Sequence, residues 1–208
     1  MTATSDKKIQ DTLRPYEFSP DSGQCDAIRA YISLLLRWNQ KISLTTVVDP
    51  MEILRFHFGE SFFAASSVPI EKGRLADVGS GAGFPGLALG IVLPGLSITL
   101  IESNSKKATF LSEVARELNL RYVDVIRQRF EEVPANLGQF DFVMARALGN
   151  YEALLRWAHE ALSNTGRVIL WLGEDECKTV SADPSFTWRE PLHIPGSKRR
   201  FILVGAPS

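Results

Sequence analysis

Residues 75–89 read LADVGSGAGFPGLAL. Short apolar residues run into glycines at 79, 81 and 83 and then a Phe-Pro-Gly, after which the apolar character resumes. The pattern predicts a strand ending at Val78, a tight turn through GSGAG, and a helix with Gly86 inside it. Three glycines in five residues at such a junction let backbone approach a nucleotide-like ligand closely.

Outward from this turn the chain alternates. Strand-like runs fall at 74–78, 97–102, 122–127, 140–145, 167–172, 186–190 and 199–204, with helical segments at 86–92, 105–118, near Glu131, and at 151–162. Alternation of this kind predicts a mostly parallel sheet covered by helices on both faces. Only PLHIPGSK separates the last two runs. A parallel crossover needs a dozen or more residues, so this pair is expected to form an antiparallel hairpin at one edge. Seven strands ending in a hairpin fit a Rossmann-like class I S-adenosylmethionine-dependent methyltransferase better than a dinucleotide dehydrogenase.

Residues 1–70 read as a helical extension, and 71–208 as the methyltransferase domain, together one compact unit. Asp21 and Ser22 can cap a helix carrying Ile28, Tyr31, Ile32, Leu35 and Trp38, and Pro50 opens another through Phe63. The 208 residues carry a formal net charge of −1, with nine basic and nine acidic residues before Leu75 and fourteen and fifteen from there on. Bulk charge therefore gives no support for nucleic-acid binding, which needs a local basic patch. Cys25 and Cys177 are expected to be free thiols, and no Cys or His spacing suggests a metal. The N-terminus lacks an apolar core, and the longest apolar run is broken by Pro94 and Gly95, so a cytoplasmic protein without membrane contact is expected.

GAGFPG, Gly81 to Gly86, satisfies G-x-G-x-x-G, and Glu102 lies 21 residues beyond Gly81, as in dinucleotide sites. Asp77 argues the other way. A strand-end carboxylate repels a pyrophosphate but attracts the ammonium of S-adenosylmethionine. The chain also leaves too little length for a separate dehydrogenase catalytic domain. Glu102 then becomes the ribose ligand, since a carboxylate accepts from both hydroxyls, and Phe130 and Glu131 fall where the adenine would lie. A nicotinamide-dependent oxidoreductase and a small-molecule methyltransferase are the rival readings.

The fourth strand ends in FDFVMARALGN, residues 140–150. It lacks the Asn/Asp-Pro-Pro-aromatic turn of exocyclic-amine methylases, and Cys177 in GEDEC is poorly placed as a thiolate. What it offers is Arg146, whose guanidinium suits a guanine edge, a phosphate or a cofactor carboxylate. Guanine N7 has a free lone pair, so in-line attack needs positioning and no general base.

These segments resemble the bacterial glucose-inhibited division protein B family, the small-subunit ribosomal RNA guanine-N7 methyltransferases. WNQKISLTTV is similar to W-N-x-x-x-N-L-T, DVGSGAGFPGLAL to D-V-G-[ST]-G-x-G-x-P-G-[IL]-P-L, and LIESNSKKATFL to L-[IL]-[ED]-S-x-x-K-[RK]-x-x-F-L; RFEEV and ARAL follow in order. The resemblance implies that Gly79 and Phe84 contact the cofactor, that Phe130 and Glu131 flank its adenine, and that Arg146 closes the site. It implies as substrate a guanine of the 530 loop of 16S rRNA, met on the small subunit or an assembly intermediate. Where the family has R-H-x-x-D-S this chain has RFHFGES: His57 and Ser61 align, Glu60 replaces Asp, and Phe56 displaces the Arg to Arg55. Ser43 and Leu172 are further departures.

The candidate site is therefore Arg146 as catalytic and cofactor-binding residue, with Asp77, Gly79, Gly81, Phe84, Glu102, Phe130 and Glu131 on the cofactor and no metal. Arg55, Lys106, Lys107, Arg199 and Arg200 are the candidates for RNA phosphates. His57 is expected to fix its helix beside the acceptor pocket. A monomer is expected.

Overall fold

The computed structural model describes residues 4–135 and 139–208. Eight strands form one sheet in the order β3-β2-β1-β4-β5-β8-β6, with β7 pairing β8 off this path. The strands are β1 (Lys72–Val78), β2 (Gly95–Ile101), β3 (Val123–Ile126), β4 (Phe140–Arg146), β5 (Leu162–Gly173), β6 (Phe186–Trp188), β7 (Leu192–His193) and β8 (Arg200–Pro207). The first five pair in parallel, and β8 runs antiparallel to β5, β6 and β7. The architecture expected from sequence is thus present, with one strand more than the seven expected. Pro191, which has no N–H for a ladder, falls between Trp188 and Leu192 and separates β7 from β6.

Helices α1 (Asp6–Leu13), α2 (Ser22–Asn39), α3 (Pro50–Ile53) and α4 (Glu60–Ser67) precede the sheet; α5 (Gly86–Val92), α6 (Ser105–Glu117), α7 (Tyr151–Ala161) and α8 (Glu174–Val180) cross it. Asp21 caps α2, its side chain accepting from Gln24 N–H. The expected helix opened by Pro50 is interrupted: residues Leu54–Gly59 form a π turn between α3 and α4. Such widened turns gather at functional sites, and this one carries Arg55, Phe56 and His57. The segment GEDEC, not expected to be helical, opens α8, where three acids occupy the first turn, the end of a helix that favours negative charge.

Two apolar layers cover the sheet. Leu75, Met144, Ile169 and Ile202 belong to one with Ile28, Tyr31, Phe58, Phe62 and Phe110. Ala76, Val78, Val143, Ala145 and Leu170 belong to the other with Leu154, Leu155 and Ala158 of α7. Strands covered on both faces are apolar nearly throughout, which is why LADV has Leu75, Ala76 and Val78 buried with Asp77 as its one polar residue. Cys25 and Cys177 are buried free thiols. β1 has β2 on one side and β4 on the other, so the strand order reverses there, and ligands of open α/β sheets bind at such a point.

Candidate functional site

The glycine turn begins at that point of reversal. Gly79, Gly81 and Gly83 all have positive φ, at 70°, 55° and 85°, where a side chain would be strained. A Cβ on Gly83 would also strike the Tyr31 hydroxyl and Leu87. The nearest atom to a Cβ on Gly81 is the Gly79 carbonyl, at 3.7 Å, so the turn presents bare backbone. Gly79 N–H donates to the Ile101 carbonyl at 2.9 Å, and Gly81 N–H donates to Glu102 Oε2 at 2.9 Å. Glu102 Oε1 accepts from Asn104 N–H at 2.8 Å. A carboxylate has about four acceptor positions, so both oxygens retain capacity for hydroxyls.

Tyr31, which sequence reasoning used only as a packing residue, braces the turn from α2. Its hydroxyl donates to the Ala82 carbonyl at 2.6 Å, and its ring stacks on Phe84 at 5.0 Å with 4° between planes. Phe84 is also held by His57 (4.9 Å) and Phe58 (5.0 Å, edge-on), so much of its ring belongs to the core.

Asp77 lies beneath the turn, 1% exposed, with Oδ2 accepting from Gly86 N–H at 3.0 Å. Its Oδ1 is buried without a partner among the described residues. Burial raises its pKa to about 7, against the lowering effect of the Gly86 N–H. An orphaned buried carboxylate oxygen is costly, and a cationic ligand group beside it would remove the cost.

Arg146 ends β4, and Ala147 after it has φ 56°, a conformation disfavoured for a residue with a Cβ. One guanidinium nitrogen of Arg146, Nη2, donates to the Phe56 carbonyl at 3.0 Å and to His57 Nδ1 at 3.2 Å, and lies 3.2 Å from Glu60 Oε2. The other, Nη1, is buried with no partner among the described residues. Arginine only donates, so His57 Nδ1 must accept, and its Nε2–H points to Thr45 Oγ1, 2.9 Å away. Burial, aided by Arg146 and Arg200, lowers the His57 pKa to about 3, which keeps the ring neutral. Burial lowers Arg146 to about 10, opposed by Glu60, so it stays charged at neutral pH.

A cleft of about 230 Å³ opens among these groups, lined by Leu44, Thr45, His57, Gly79 to Ala82, Phe84, Lys107, Arg146 and Ala147. Of the expected cofactor residues, Gly79, Gly81, Phe84 and Arg146 line it, and Glu102 is one hydrogen bond away. Phe130 is packed edge-on against Trp157 at 6.2 Å, and Glu131 is exposed; neither lines the cleft.

The five basic candidates separate. Lys107 lines the cleft, while Lys106 next to it is exposed. Arg55 opens on a second cleft of about 520 Å³ with Lys7, Lys8 and Tyr16. Arg199 pairs with Glu174 (3.2 Å) and Asp175 (3.1 Å), and Arg200 with Glu60 (3.0 Å). Charges balanced in this way are less available to phosphate than the sequence alone suggests. Sequence reasoning did not place Glu60 or Thr45 in the site; the alignment of RFHFGES was the one signal pointing at Glu60.

Across known proteins, the family model described as GidB, rRNA small subunit methyltransferase G, matches residues 24–201. The chain belongs to this family. The ribosomal RNA small subunit methyltransferase G of Escherichia fergusonii is 33% identical, over 97% of this chain and 98% of that protein. The protein of the same name from Chloroflexus aggregans is 31% identical, over 98% and 90%. Among solved structures, a SAM-dependent methyltransferase from Aquifex aeolicus superposes with a TM-score of 0.63 at 15% identity, covering 84% of this chain and 97% of that one. A ribosomal protein L11 methylase from Lactobacillus delbrueckii gives 0.59 at 18%, over 74% and 79%. Family and fold together make S-adenosylmethionine the cofactor of this chain. The bare glycine backbone, the orphaned Asp77 oxygen and the unfilled acceptor positions of Glu102 fit a ligand with an ammonium and a ribose.

Proposed function

We propose that the protein methylates N7 of a guanine in the 530 loop of 16S rRNA by direct in-line transfer, as a monomer acting on small-subunit particles in the cytoplasm. The observation that carries this reading is the state of Arg146 and His57. His57 is the imidazole of the cleft, and both its nitrogens are committed, Nδ1 to Arg146 and Nε2 to Thr45. It is neutral and not free to take a proton. An exocyclic amine or a ribose hydroxyl must lose a proton on methylation, whereas guanine N7 loses none. A cleft whose histidine only positions its neighbour suits the acceptor that needs no base.

S-adenosylmethionine, when bound, supplies the electrophilic methyl on a sulfonium. Asp77 and the turn from Gly79 to Gly81 hold its amino-acid end, and Glu102 accepts from its ribose. Phe130 and Glu131 lie in the short turn after β3, outside the cleft lining, and the family resemblance assigns them to the adenine end of the cofactor. Arg146 directs its free Nη1 at the guanine edge or at an anionic group beside it, and so orients the ring plane. Direct in-line transfer to the N7 lone pair would leave the positive charge on the base with no proton to remove, so these residues would bind and orient without acting as a base. Arg55, Lys106 and Lys107 supply the local cationic surface for phosphates that a chain of net charge −1 needs.

The test gives the purified protein methyl-labelled S-adenosylmethionine and small subunits from cells lacking the endogenous enzyme, then maps 7-methylguanine by strand cleavage. Label at one guanine of the 530 loop is expected. Label elsewhere, or none while the cofactor binds, overturns the acceptor.

A further inference from the structure

Glu60 is 2% exposed at the start of α4 and stands between two guanidinium groups. Its Oε2 lies 3.2 Å from Arg146 Nη2, an ion pair that makes no hydrogen bond among the described residues, and its Oε1 lies 3.0 Å from Arg200 Nη1. Its backbone is fixed from the sheet, where Trp171 Nε1–H donates to the Glu60 carbonyl at 3.1 Å. We propose that Glu60 is the positioning residue of the cleft. Its one carboxylate holds Arg146 at the end of β4 and Arg200 at the start of β8 in a single ion-paired row, and so fixes the Arg146 guanidinium at the wall of the cleft.

The charges explain why a carboxylate is needed there. Arg146 and Arg200 are on opposite sides of one buried anion, and His57 beside them is neutral and contributes none. Without Glu60 the largely buried Arg146 would be left beside a second guanidinium with no anion between them, where like charges repel more strongly than between two fully solvated groups. The remaining partners of Arg146, the Phe56 carbonyl and His57 Nδ1, are neutral acceptors and cannot offset that repulsion. Arg200 has 39% of its side chain exposed and can swing out, but Arg146, at 10%, has little room to do so. The row also limits the positive field at the cleft edge, where the methylated base gains a positive charge.

This inference rests on the reading that Arg146 meets the bound cofactor or base, so the first measurement is S-adenosylmethionine affinity by calorimetry, which needs no RNA. Arg146→Met is expected to weaken binding tenfold or more, and Glu60→Gln to weaken it about as much. Adding Arg200→Met to Glu60→Gln removes the repulsion. The double variant is expected to bind at least fivefold more tightly than Glu60→Gln alone, a recovery that a merely structural role would not give. Thermal unfolding confirms that each variant is folded at the assay temperature. Should Glu60→Gln fail to fold, Glu60→Asp, which keeps the charge but reaches only one partner, is expected to bind with intermediate affinity and to be improved by Arg200→Met. A double variant no tighter than the single overturns the proposal, as does wild-type affinity in Glu60→Gln beside a weakened Arg146→Met. Wild-type affinity in Arg146→Met overturns the reading of Arg146 beneath it as well.

Discussion

Asp77→Asn is expected to make the ligand-free protein more stable toward neutral pH while weakening its hold on the cofactor. Burial raises Asp77 to about 7 in the folded chain, against about 3.9 when unfolded. The folded-state pKa is the higher one, so the folded form binds more protons between those values. The stabilising contribution is therefore complete below about pH 3.9 and is lost as pH rises through 7. Between pH 5 and pH 7 the wild type should lose about 2 kcal/mol relative to the variant, or about 4–8 °C in midpoint for a chain of this size. Asparagine keeps the acceptor for Gly86 N–H and places a neutral NH₂ where Oδ1 has no partner. The assay is thermal unfolding of both proteins from pH 5 to 7 at fixed ionic strength, first alone and then with saturating S-adenosylmethionine. Without ligand the two midpoint curves should converge toward pH 5 and separate toward pH 7. An ammonium beside Asp77 favours the carboxylate, so ligand should flatten the wild-type loss, and the variant should bind about tenfold more weakly. Parallel curves without ligand would refute the buried-carboxyl argument; a separation that ligand leaves unchanged would remove Asp77 from the ammonium.

His57→Gln tests the opposite slope. The His57 pKa is lowered to about 3, below the unfolded value of about 6.5, so its contribution is complete above pH 6.5 and falls with acid. Urea unfolding at pH 7 and pH 5 should show the wild type losing about 2 kcal/mol more than the variant on acidification, and equal losses would count against it. In the cleft, Lys107→Ala should lower methyl transfer about tenfold while Lys106→Ala stays within twofold, read as single-turnover rates; equal rates would mean that Lys107 does not face the reaction. At the surface, Arg55→Ala should reduce the slope of log affinity against log salt for small-subunit RNA by about 0.7 to 0.9. Arg199→Ala should leave it nearly unchanged, because Glu174 and Asp175 already balance that charge.

The parts of the site legible in sequence are those set by local backbone rules. Glycines at 79, 81 and 83, an apolar strand before them and an apolar helix after them leave one conformation open, and the observed β1, turn and α5 follow it. The PLHIPGSK spacing likewise gave the antiparallel edge. What could not be read is pairing across the chain. Arg199 and Arg200 look alike in sequence, yet one meets an acidic helix 25 residues back and the other meets Glu60. The contact of Phe130 is of the same kind: its ring, 8% exposed, meets Trp157 edge-on from 27 residues further along the chain. The helix α8 escaped because its seven residues carry only two buried apolar positions, Cys177 and Val180, whereas α5, of equal length, is apolar throughout and follows the glycine turn.

Residues 1–70 read in sequence as an extension, but the site depends on them atom by atom. The two acceptors of Arg146 Nη2 come from Phe56 and His57, its ion pair comes from Glu60, and the hydroxyl that braces the glycine turn comes from Tyr31. Thr45 orients His57, and His57 in turn accepts from Arg146. The sheet supplies a place where a cofactor can lie, a feature shared with folds of widely different sequence. The side chains that fix the guanidinium over that place are contributed by the first sixty residues. Specificity for an acceptor is therefore expected to reside at the junction of the two parts, because an arginine held from one side by the helices and from the other by β4 can be aimed only when both are in register.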